Sequence, residues 1–227
     1  ARELQKSNPK ETSGFQLEGD VERQQRNWPA AIAAYRKAFT MARSTDLAIR
    51  LHQALFAGGQ RAEAEKLVAD WQREHPRDFG FSYYLGDMAM SRSDYAAGEK
   101  HYRAVLEVQP RNALALNNVA WLMAKQGKTG AVPLAEQANQ ILPNRPQLMD
   151  TLATALAAEG EIKRAVDVQK RAVQIERNDP NLRLNLARLH LKAGEKPQAR
   201  AELEDLSRLG DKFAAQAEVA ELLKLSR

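Results

Sequence analysis

The sequence predicts an all-α fold built from repeated helix–turn–helix units. Ala and Leu are plentiful among the 227 residues, β-branched residues are sparse and aromatic residues make up 6%, a balance that favours helix over strand. Large, small and turn-forming residues also recur with a period near 34 residues. Because a single helical hairpin would leave one apolar face in water, units of this kind must stack into a solenoid.

The period is visible in three kinds of residue, which step by 33 or 34 positions or by a multiple of that spacing. Small residues that suit a close helix crossing are Ala31, Ala64, Gly98, Ala131, Ala165 and Ala199. Large apolar residues are Leu51, Leu85, Val119, Leu152 and Leu186. Glycines and prolines that break helices are Gly59, Gly127, Gly160, Gly194, Pro76, Pro110 and Pro143.

One unit illustrates why these residue types belong together. Leu152 and Leu156 are four residues apart and line one face of a first helix. Gly160 supplies the left-handed conformation that ends this helix without a Cβ clash. Ala165 then lets the second helix approach closely, and Ala172 continues its buried stripe.

This pattern resembles the tetratricopeptide repeat, most clearly over 79–112. There Leu85-Gly86, Asp94-Tyr95, Gly98, Tyr102 and Pro110 occupy the family's positions. The resemblance implies a right-handed α-solenoid, which we divide into the units 12–44, 45–78, 79–112, 113–145, 146–179 and 180–209.

Both ends extend this division. Residues 1–10 fit the tail of a preceding, truncated repeat, with Leu4 on its second-helix stripe, and the initial Ala1 agrees with a fragment of a longer chain. Residues 210–227 are predicted to hold a capping helix over 212–225 that covers the last repeat. We expect Phe213, Ala220 and Leu223 to face inward and Gln216, Glu221 and Lys224 to face outward.

Several residues depart from the repeat. Glu18 and Glu22 stand at apolar positions, so the first helix is expected to shift by one residue or to pack against further sequence. His52 replaces a small residue and Trp71 replaces an alanine, which predicts unusual packing in the second unit. Pro133 should delay the start of its helix.

No motif for catalysis is present. The four histidines share no metal-ligand spacing, there are no cysteines, and neither a glycine-rich phosphate loop nor a nucleophile elbow occurs. We therefore predict a protein that is not an enzyme, with no catalytic residues, no cofactor and no metal.

Charge and hydropathy indicate whether nucleic acid or a membrane is a partner. Lys and Arg exceed Asp and Glu by five, but the excess is dispersed over the repeats and alternates with acids at helical spacing. Tracking phosphates needs a contiguous basic stripe, so we expect no nucleic-acid partner. No apolar run approaches the length of about 18 residues that a membrane span needs, so we expect no direct membrane insertion of this fragment.

The remaining kind of function is recognition of a partner by the protein surface. In tetratricopeptide solenoids the first helices line the concave face, which implies that a protein or extended peptide binds there. Carried over by repeat position, the candidate binding residues, all predicted to be exposed on this face, are Arg50, Gln53, Tyr83, Tyr84, Asp87, Asn117, Asn118, Trp121, Asp150, Thr151, Asn185 and Arg188. Tyr83, Tyr84 and Trp121 would form an aromatic platform, or would instead pack between helices. The family's carboxylate clamp does not carry over, because only Asn118 matches it.

Some strings are more specific. Leu17-Glu18-Gly19-Asp20, Trp71 with His75-Pro76-Arg77-Asp78, 116–121 and Asp150-Thr151-Leu152 resemble tetratricopeptide proteins of the PEP-CTERM/exosortase exopolysaccharide systems. That resemblance implies a periplasmic or envelope-associated scaffold for polysaccharide assembly or export, with polysaccharide or the export machinery as further partners and any anchor outside these residues. A cytoplasmic location stays open. Two alternatives remain: a saccharide-contacting scaffold that uses the aromatic platform, and the interaction arm of a larger cytosolic enzyme.

Overall fold

The computed structural model describes residues 1–227 apart from the side chain of Arg2, and every regular element in it is a helix. The predicted all-α class is therefore confirmed. The chain divides into two compact units, residues Ala1–Leu85 and Gly86–Arg227. Among the described residues, no helix is long and apolar enough to cross a membrane.

The first unit consists of short helical hairpins with aromatic side chains in their core. Its helices are α1 (Arg2–Ser7), α2 (Ser13–Gln24), α3 (Trp28–Met41), α4 (Thr45–Ala57), α5 (Arg61–Glu74) and α6 (Phe79–Ser91), the last of which continues into the second unit. Tyr35, Trp71 and Phe81 are among its most deeply buried side chains.

The second unit continues the same alternation of helices. They are α7 (Tyr95–Val108), α8 (Ala113–Lys125), α9 (Ala131–Ile141), α10 (Pro146–Ala158), α11 (Ile162–Ile175), α12 (Pro180–Lys192), α13 (Lys196–Ser207) and α14 (Gln216–Leu225). Each helix contacts the next, and α8, α10, α12 and α14 also contact one another in turn. The first helices of successive hairpins therefore form one continuous face of this unit.

The helix ends follow the predicted turn chemistry. Gly160 has φ +87°, which confirms the left-handed turn after α10. Asp94 and Asn112 cap α7 and α8, because their side-chain oxygens accept hydrogen bonds from Ala97 N and Ala115 N at 3.1 and 3.0 Å.

The delayed start expected from Pro133 is also present. Helix α9 begins at Ala131, whereas α11 begins three residues before Ala165, the matching position of its own repeat. The turn that α9 lacks is replaced by Glu159, whose Oε1 accepts hydrogen bonds from the backbone N–H groups of residues 130, 131 and 132 at 2.9–3.2 Å. A carboxylate from the end of α10 thus caps the N-terminus of α9.

A glycine–aspartate pair on a first helix receives a tyrosine from the second helix. A Cβ on Gly86 would stand 2.6 Å from Tyr102 Cε1, so only glycine leaves room for this ring. The Tyr102 hydroxyl then donates to Asp87 Oδ1 at 2.5 Å. In the first unit the Tyr35 hydroxyl makes the same bond to Asp20 Oδ1 at 2.7 Å.

Trp71 packs against aromatic rings and an aspartate, in agreement with the unusual packing predicted for the repeat 45–78. It is 2% exposed and lies 5.6 Å from Phe39, centroid to centroid. Its Nε1–H donates to Asp78 Oδ2 at 2.9 Å, Thr45 Oγ1 donates to the same oxygen at 2.8 Å, and Asp78 Oδ1 accepts from Phe81 N at 3.0 Å. Asp78 therefore joins α4, α5 and the start of α6, which gives the Trp71–Asp78 string a structural role.

The acidic residues at apolar positions of α2 are satisfied by amides. Gln5 Nε2 donates to Glu18 Oε2 and Asn27 Nδ2 donates to Glu22 Oε2, both at 2.7 Å. Glu18 is thus held by a side chain from α1.

The C-terminal helix differs from the prediction. It does not span 212–225, because a short 3₁₀ turn at Gly210–Lys212 precedes α14, which begins at Gln216. Phe213 is buried as expected, but Val219 faces inward and Ala220 is exposed. Phe213 precedes α14 and is not on the same helix as Ala220, so the helical spacing between the two residues does not apply.

Candidate functional site

A pocket of about 550 Å³ opens on the face that α8, α10, α12 and α14 share. Its lining combines one aromatic ring, charged groups of both signs, amides and apolar side chains. These residues are Trp121, Lys125, Asp150, Thr154, Ala157, Asn181, Leu184, Asn185, Arg188, Leu189, Lys192, Ala215 and Glu218. A concave site with apolar walls and a few convergent polar groups is the usual form of a binding site.

Asp150 is a half-buried carboxylate in the lining of this pocket. Its Oδ1 accepts hydrogen bonds from Gln169 Nε2 at 2.7 Å and from Asn185 Nδ2 at 2.8 Å. Burial raises the pKa of Asp150, while the hydrogen bonds from Asn185 and Gln169 act in the opposite direction. Within the described part of the chain, neither hydrogen-bond donor to this carboxylate is a cation.

Gln169 holds the carboxylate of Asp150 by a hydrogen bond from the buried side of the pocket. It is fully buried on α11, and its Nε2 also donates to Leu182 O at 2.9 Å, so it links α10, α11 and α12. By repeat spacing it stands where Tyr35 and Tyr102 stand in other units, 67 residues after Tyr102. This repeat therefore has a polar amide in place of the packing tyrosine.

One wall of the pocket is an ion pair between α12 and α14. Arg188 binds Glu218 in a bidentate manner, with Nε–Oε1 and Nη2–Oε2 distances of 2.8 Å. The hydrogen bond from Arg188 lowers the pKa of Glu218, and Lys125 adds to this effect through its charge. The C-terminal helix is thus part of the site, not only a cover for the last repeat.

The opposite wall is formed by Trp121. Its ring meets the ring of Tyr95 edge-on, with 5.7 Å between centroids and an interplanar angle of 89°. Lys125 Nζ lies over the Trp121 ring, 5.3 Å from its centroid. Trp121 is half-buried, and both its ring face and its edge already have contacts within the second unit.

Four of the predicted binding residues come together in this pocket: Trp121, Asp150, Asn185 and Arg188. Thr151 does not, and its predicted exposure is wrong. It is 4% exposed and its Oγ1 donates to Gln147 O one turn earlier at 3.2 Å. One residue step turns a helix by about 100°, so the position after Asp150 points into the packed interior.

Asn117 and Asn118 lie half-buried on α8. Asn117 Nδ2 donates to Asn118 Oδ1 at 3.4 Å, whereas Asn117 Oδ1 is buried without a hydrogen-bond partner among the described residues. The predicted role of Asn117 and Asn118 in binding a partner stays a prediction.

Three of the other predicted residues, Arg50, Tyr84 and Asp87, serve internal contacts, and Gln53 is exposed on α4. Arg50 binds Asp20 at 2.5 Å and Asp46 at 2.7 Å. Tyr84 is hydrogen-bonded through its hydroxyl to His52 Nδ1 at 2.5 Å. Tyr83 is half-buried on α6 and Asp87 accepts from the tyrosine described above. Tyr83 and Tyr84 belong to the first unit and Trp121 to the second, so their joint platform stays a prediction.

Sequence reasoning missed two residues that shape the pocket. Gln169 carried a usable signal, since an amide stands at a position that the other units fill with Tyr, Val, Ala or Leu. Glu218 carried none, because α14 lies outside the periodic part of the chain. Among the described residues, no group of three or more His, Asp or Glu is arranged to hold a metal ion.

These features define a class: helical-hairpin repeat proteins whose first helices form a recognition face. Two family models of the tetratricopeptide repeat match residues 89–148 and 156–224, together more than half of the chain. The chain is a tetratricopeptide repeat protein.

The chain is also similar to two curated proteins. A tetratricopeptide repeat-containing protein of Pseudomonas aeruginosa is 27% identical over 148 residues, which is 63% of this chain and 25% of the relative. Cellulose synthase 1 operon protein C of Komagataeibacter xylinus is 27% identical over 154 residues, or 64% of this chain and 11% of the relative. The chain thus spans a quarter or less of the length of these two relatives.

A solved structure agrees in fold. The structure of pilF of Pseudomonas aeruginosa is similar with a TM-score of 0.67 at 16% identity, over 92% of this chain and 96% of that chain. At this identity the likeness concerns the fold alone.

Proposed function

We propose that this chain is a non-enzymatic scaffold that binds an extended protein segment in the pocket formed by α8, α10, α12 and α14. The observation that carries the proposal is the convergence of Trp121, Asp150, Asn185 and Arg188 on one pocket of about 550 Å³. Tetratricopeptide repeats generally serve as scaffolds, and an amide such as Asn185 offers the donor and the acceptor that a peptide backbone requires.

The proposal includes a role in bacterial exopolysaccharide assembly or export, at the periplasmic side or the envelope. Support comes from the strings described above and from the similarity to a cellulose synthase operon protein. Polysaccharide and the export machinery are then further partners of the complete protein.

Saccharide contact is the second candidate for the same pocket, because an aromatic ring beside Asp, Asn and Arg side chains suits sugar rings. A protein segment is favoured since Lys125 covers the Trp121 ring and Tyr95 meets it edge-on. Titration calorimetry with cellohexaose separates the two. Binding that Trp121→Ala abolishes would support the saccharide, and no heat is expected if the segment proposal is correct.

The protein-segment proposal is tested by site-specific photo-crosslinking in the native source. A benzoylphenylalanine at position 192, on the pocket rim, is expected to capture a protein, whereas one at 170, exposed on α11, is not. Trp121→Ala and Asn118→Ala should weaken the capture from position 192 without lowering the melting temperature. Equal capture from both positions, or variants that melt several degrees lower, would show that the residues only pack.

A further inference from the structure

The carboxylate of Asp150 lacks a cation in contact with it. Its two hydrogen-bond donors are the neutral amides of Gln169 and Asn185, and both bind Oδ1. Arg188 acts on Asp150 through its charge but forms no ion pair with it, and its Nε and Nη2 donate to Glu218 at 2.8 Å. Oδ2 therefore receives no hydrogen bond from the described residues.

The other charged groups around the pocket do not neutralise this carboxylate. Lys125 lies over Trp121 and acts on Glu218, while Lys192 is exposed at the rim. Asp179 carries a charge of the same sign as Asp150 and opposes its ionisation, whereas Arg188 favours it. The wall pair of Arg188 and Glu218 is internally balanced.

Asp150 is half-buried, and a carboxylate that has lost part of its contact with water without gaining an ion pair is destabilised. Two amides on one oxygen offset only part of that cost, which agrees with the raised pKa of Asp150. A ligand that brings a positive charge to Oδ2 would supply the ion pair that Asp150 lacks within the protein. Leu184, Leu189 and Ala157 line the same pocket and suit the aliphatic stem of a long basic side chain.

We propose that Asp150 receives the guanidinium or ammonium group of an Arg or Lys side chain, so that this pocket selects protein segments that carry a basic residue. The inference rests on the proposed function, since it names what the bound segment must contain. Gln169 is a positioning residue in this arrangement: it holds Oδ1 so that Oδ2 is left for the ligand.

A random peptide display library selected on the complete 227-residue chain tests the proposal. Wild-type protein is expected to enrich peptides with Arg or Lys at one recurring position. Asp150→Asn keeps acceptors for Gln169 and Asn185 but removes the charge, and it should lose that enrichment. Asp167→Asn, an exposed carboxylate on α11 outside the pocket, is the matched control and should keep it.

One selected peptide then gives the quantitative test. Replacing its Arg by citrulline, which keeps the shape but not the charge, should weaken binding to the wild type about tenfold or more. The same replacement should change little in the Asp150→Asn variant. Peptides that bind in the pocket without a basic residue would overturn the basic-residue inference and leave the proposed function standing. If no peptide binds at all, the proposed function itself is wrong.

Discussion

Gly86→Ala adds one methyl group at the point where α6 faces the ring of Tyr102. The new Cβ would stand 2.6 Å from Cε1, 2.8 Å from Cζ and 2.9 Å from Cδ1 of that ring. Carbon atoms prefer separations of about 3.5–4.0 Å, so the ring must move by about 1 Å. It has little freedom to do so, because Tyr102 is 1% exposed and its hydroxyl is bound to Asp87.

The expected change in unfolding free energy follows from three contributions. Overpacking of a buried site costs about 1–3 kcal/mol. If the ring yields, the bond to a charged acceptor weakens, and such bonds contribute about 1.5–3 kcal/mol. Alanine is favoured over glycine inside a helix by about 0.8–1.0 kcal/mol, which offsets part of the loss. Together these give a destabilisation of about 2–5 kcal/mol for Gly86→Ala, and at about 2–4 °C per kcal/mol for a chain of this length we expect Tm to fall by at least about 4 °C.

Thermal and urea unfolding followed by circular dichroism measure this change. Gly98→Ala is the matched control: its Cβ would meet Leu122 Cδ1 at an ordinary 3.4 Å, so helix propensity should stabilise it by up to about 1 kcal/mol. In a Tyr102→Leu background the clash is removed, and Gly86→Ala should then become neutral or stabilising. An equal loss of stability in both backgrounds would refute the role assigned to the ring.

Four further changes test the packing and the charges. Ala165→Leu should destabilise by about 1–3 kcal/mol through overpacking, since Ala165 is fully buried; an unchanged melting temperature would contradict the helix crossing. Glu159→Ala should cost about 0.5–2 kcal/mol by uncapping α9, while Glu159→Gln, which keeps an acceptor, should lose less in the same urea titration. Burial alone would raise the pKa of Asp78, but the hydrogen bonds to its carboxylate lower the pKa in the folded protein. The ionised carboxylate therefore stabilises the fold above its unfolded pKa of about 3.9, and this stabilisation is lost as the pH falls through the lower folded pKa. Asp78→Asn should make the decrease of Tm at acidic pH smaller. The pKa of Asp150 is raised, so its ionised form opposes folding at neutral pH and Asp150→Asn should increase Tm at pH 7, whereas a decrease would mean that its charge is compensated.

The hairpins were predictable because the signals that define them are local. Glycine in a left-handed turn is required by the backbone itself, and Gly160 obeys this rule with φ +87°. The late start of α9 also follows from Pro133, since proline is tolerated only in the first turn of a helix. What completes that start is a carboxylate 26 residues further on, Glu159, which local reasoning has no means to connect with it.

The candidate site was only partly predictable, because the rotation of each helix decides it. Repeat spacing placed Asp150 and Asn185 correctly on the pocket face but assigned Thr151 to the same surface, although adjacent residues diverge by about 100°. Arg188 was predicted as a binding residue, and the structure adds that Glu218, 30 residues further on, is hydrogen-bonded to it. Contacts that join separate elements are set by tertiary packing, which no periodicity encodes.

The repeat also shows how one position can serve cohesion in some units and recognition in another. In two units a tyrosine fills this position and donates its hydroxyl to the aspartate beside a helix glycine, which holds the hairpin together. In the unit 146–179 Gln169 takes the position, Ala153 replaces the glycine, and the donated bond goes instead to Asp150 on the pocket face. Val68, Ala135 and Leu203 fill the position in the remaining units, so 146–179 is the unit in which an amide there holds a carboxylate of the pocket. A polar residue at a buried position that is otherwise apolar or aromatic is expected where function, rather than stability, determines the residue. Gln169 is such a residue and is hydrogen-bonded to Asp150, which is the physical reason to look for the ligand there.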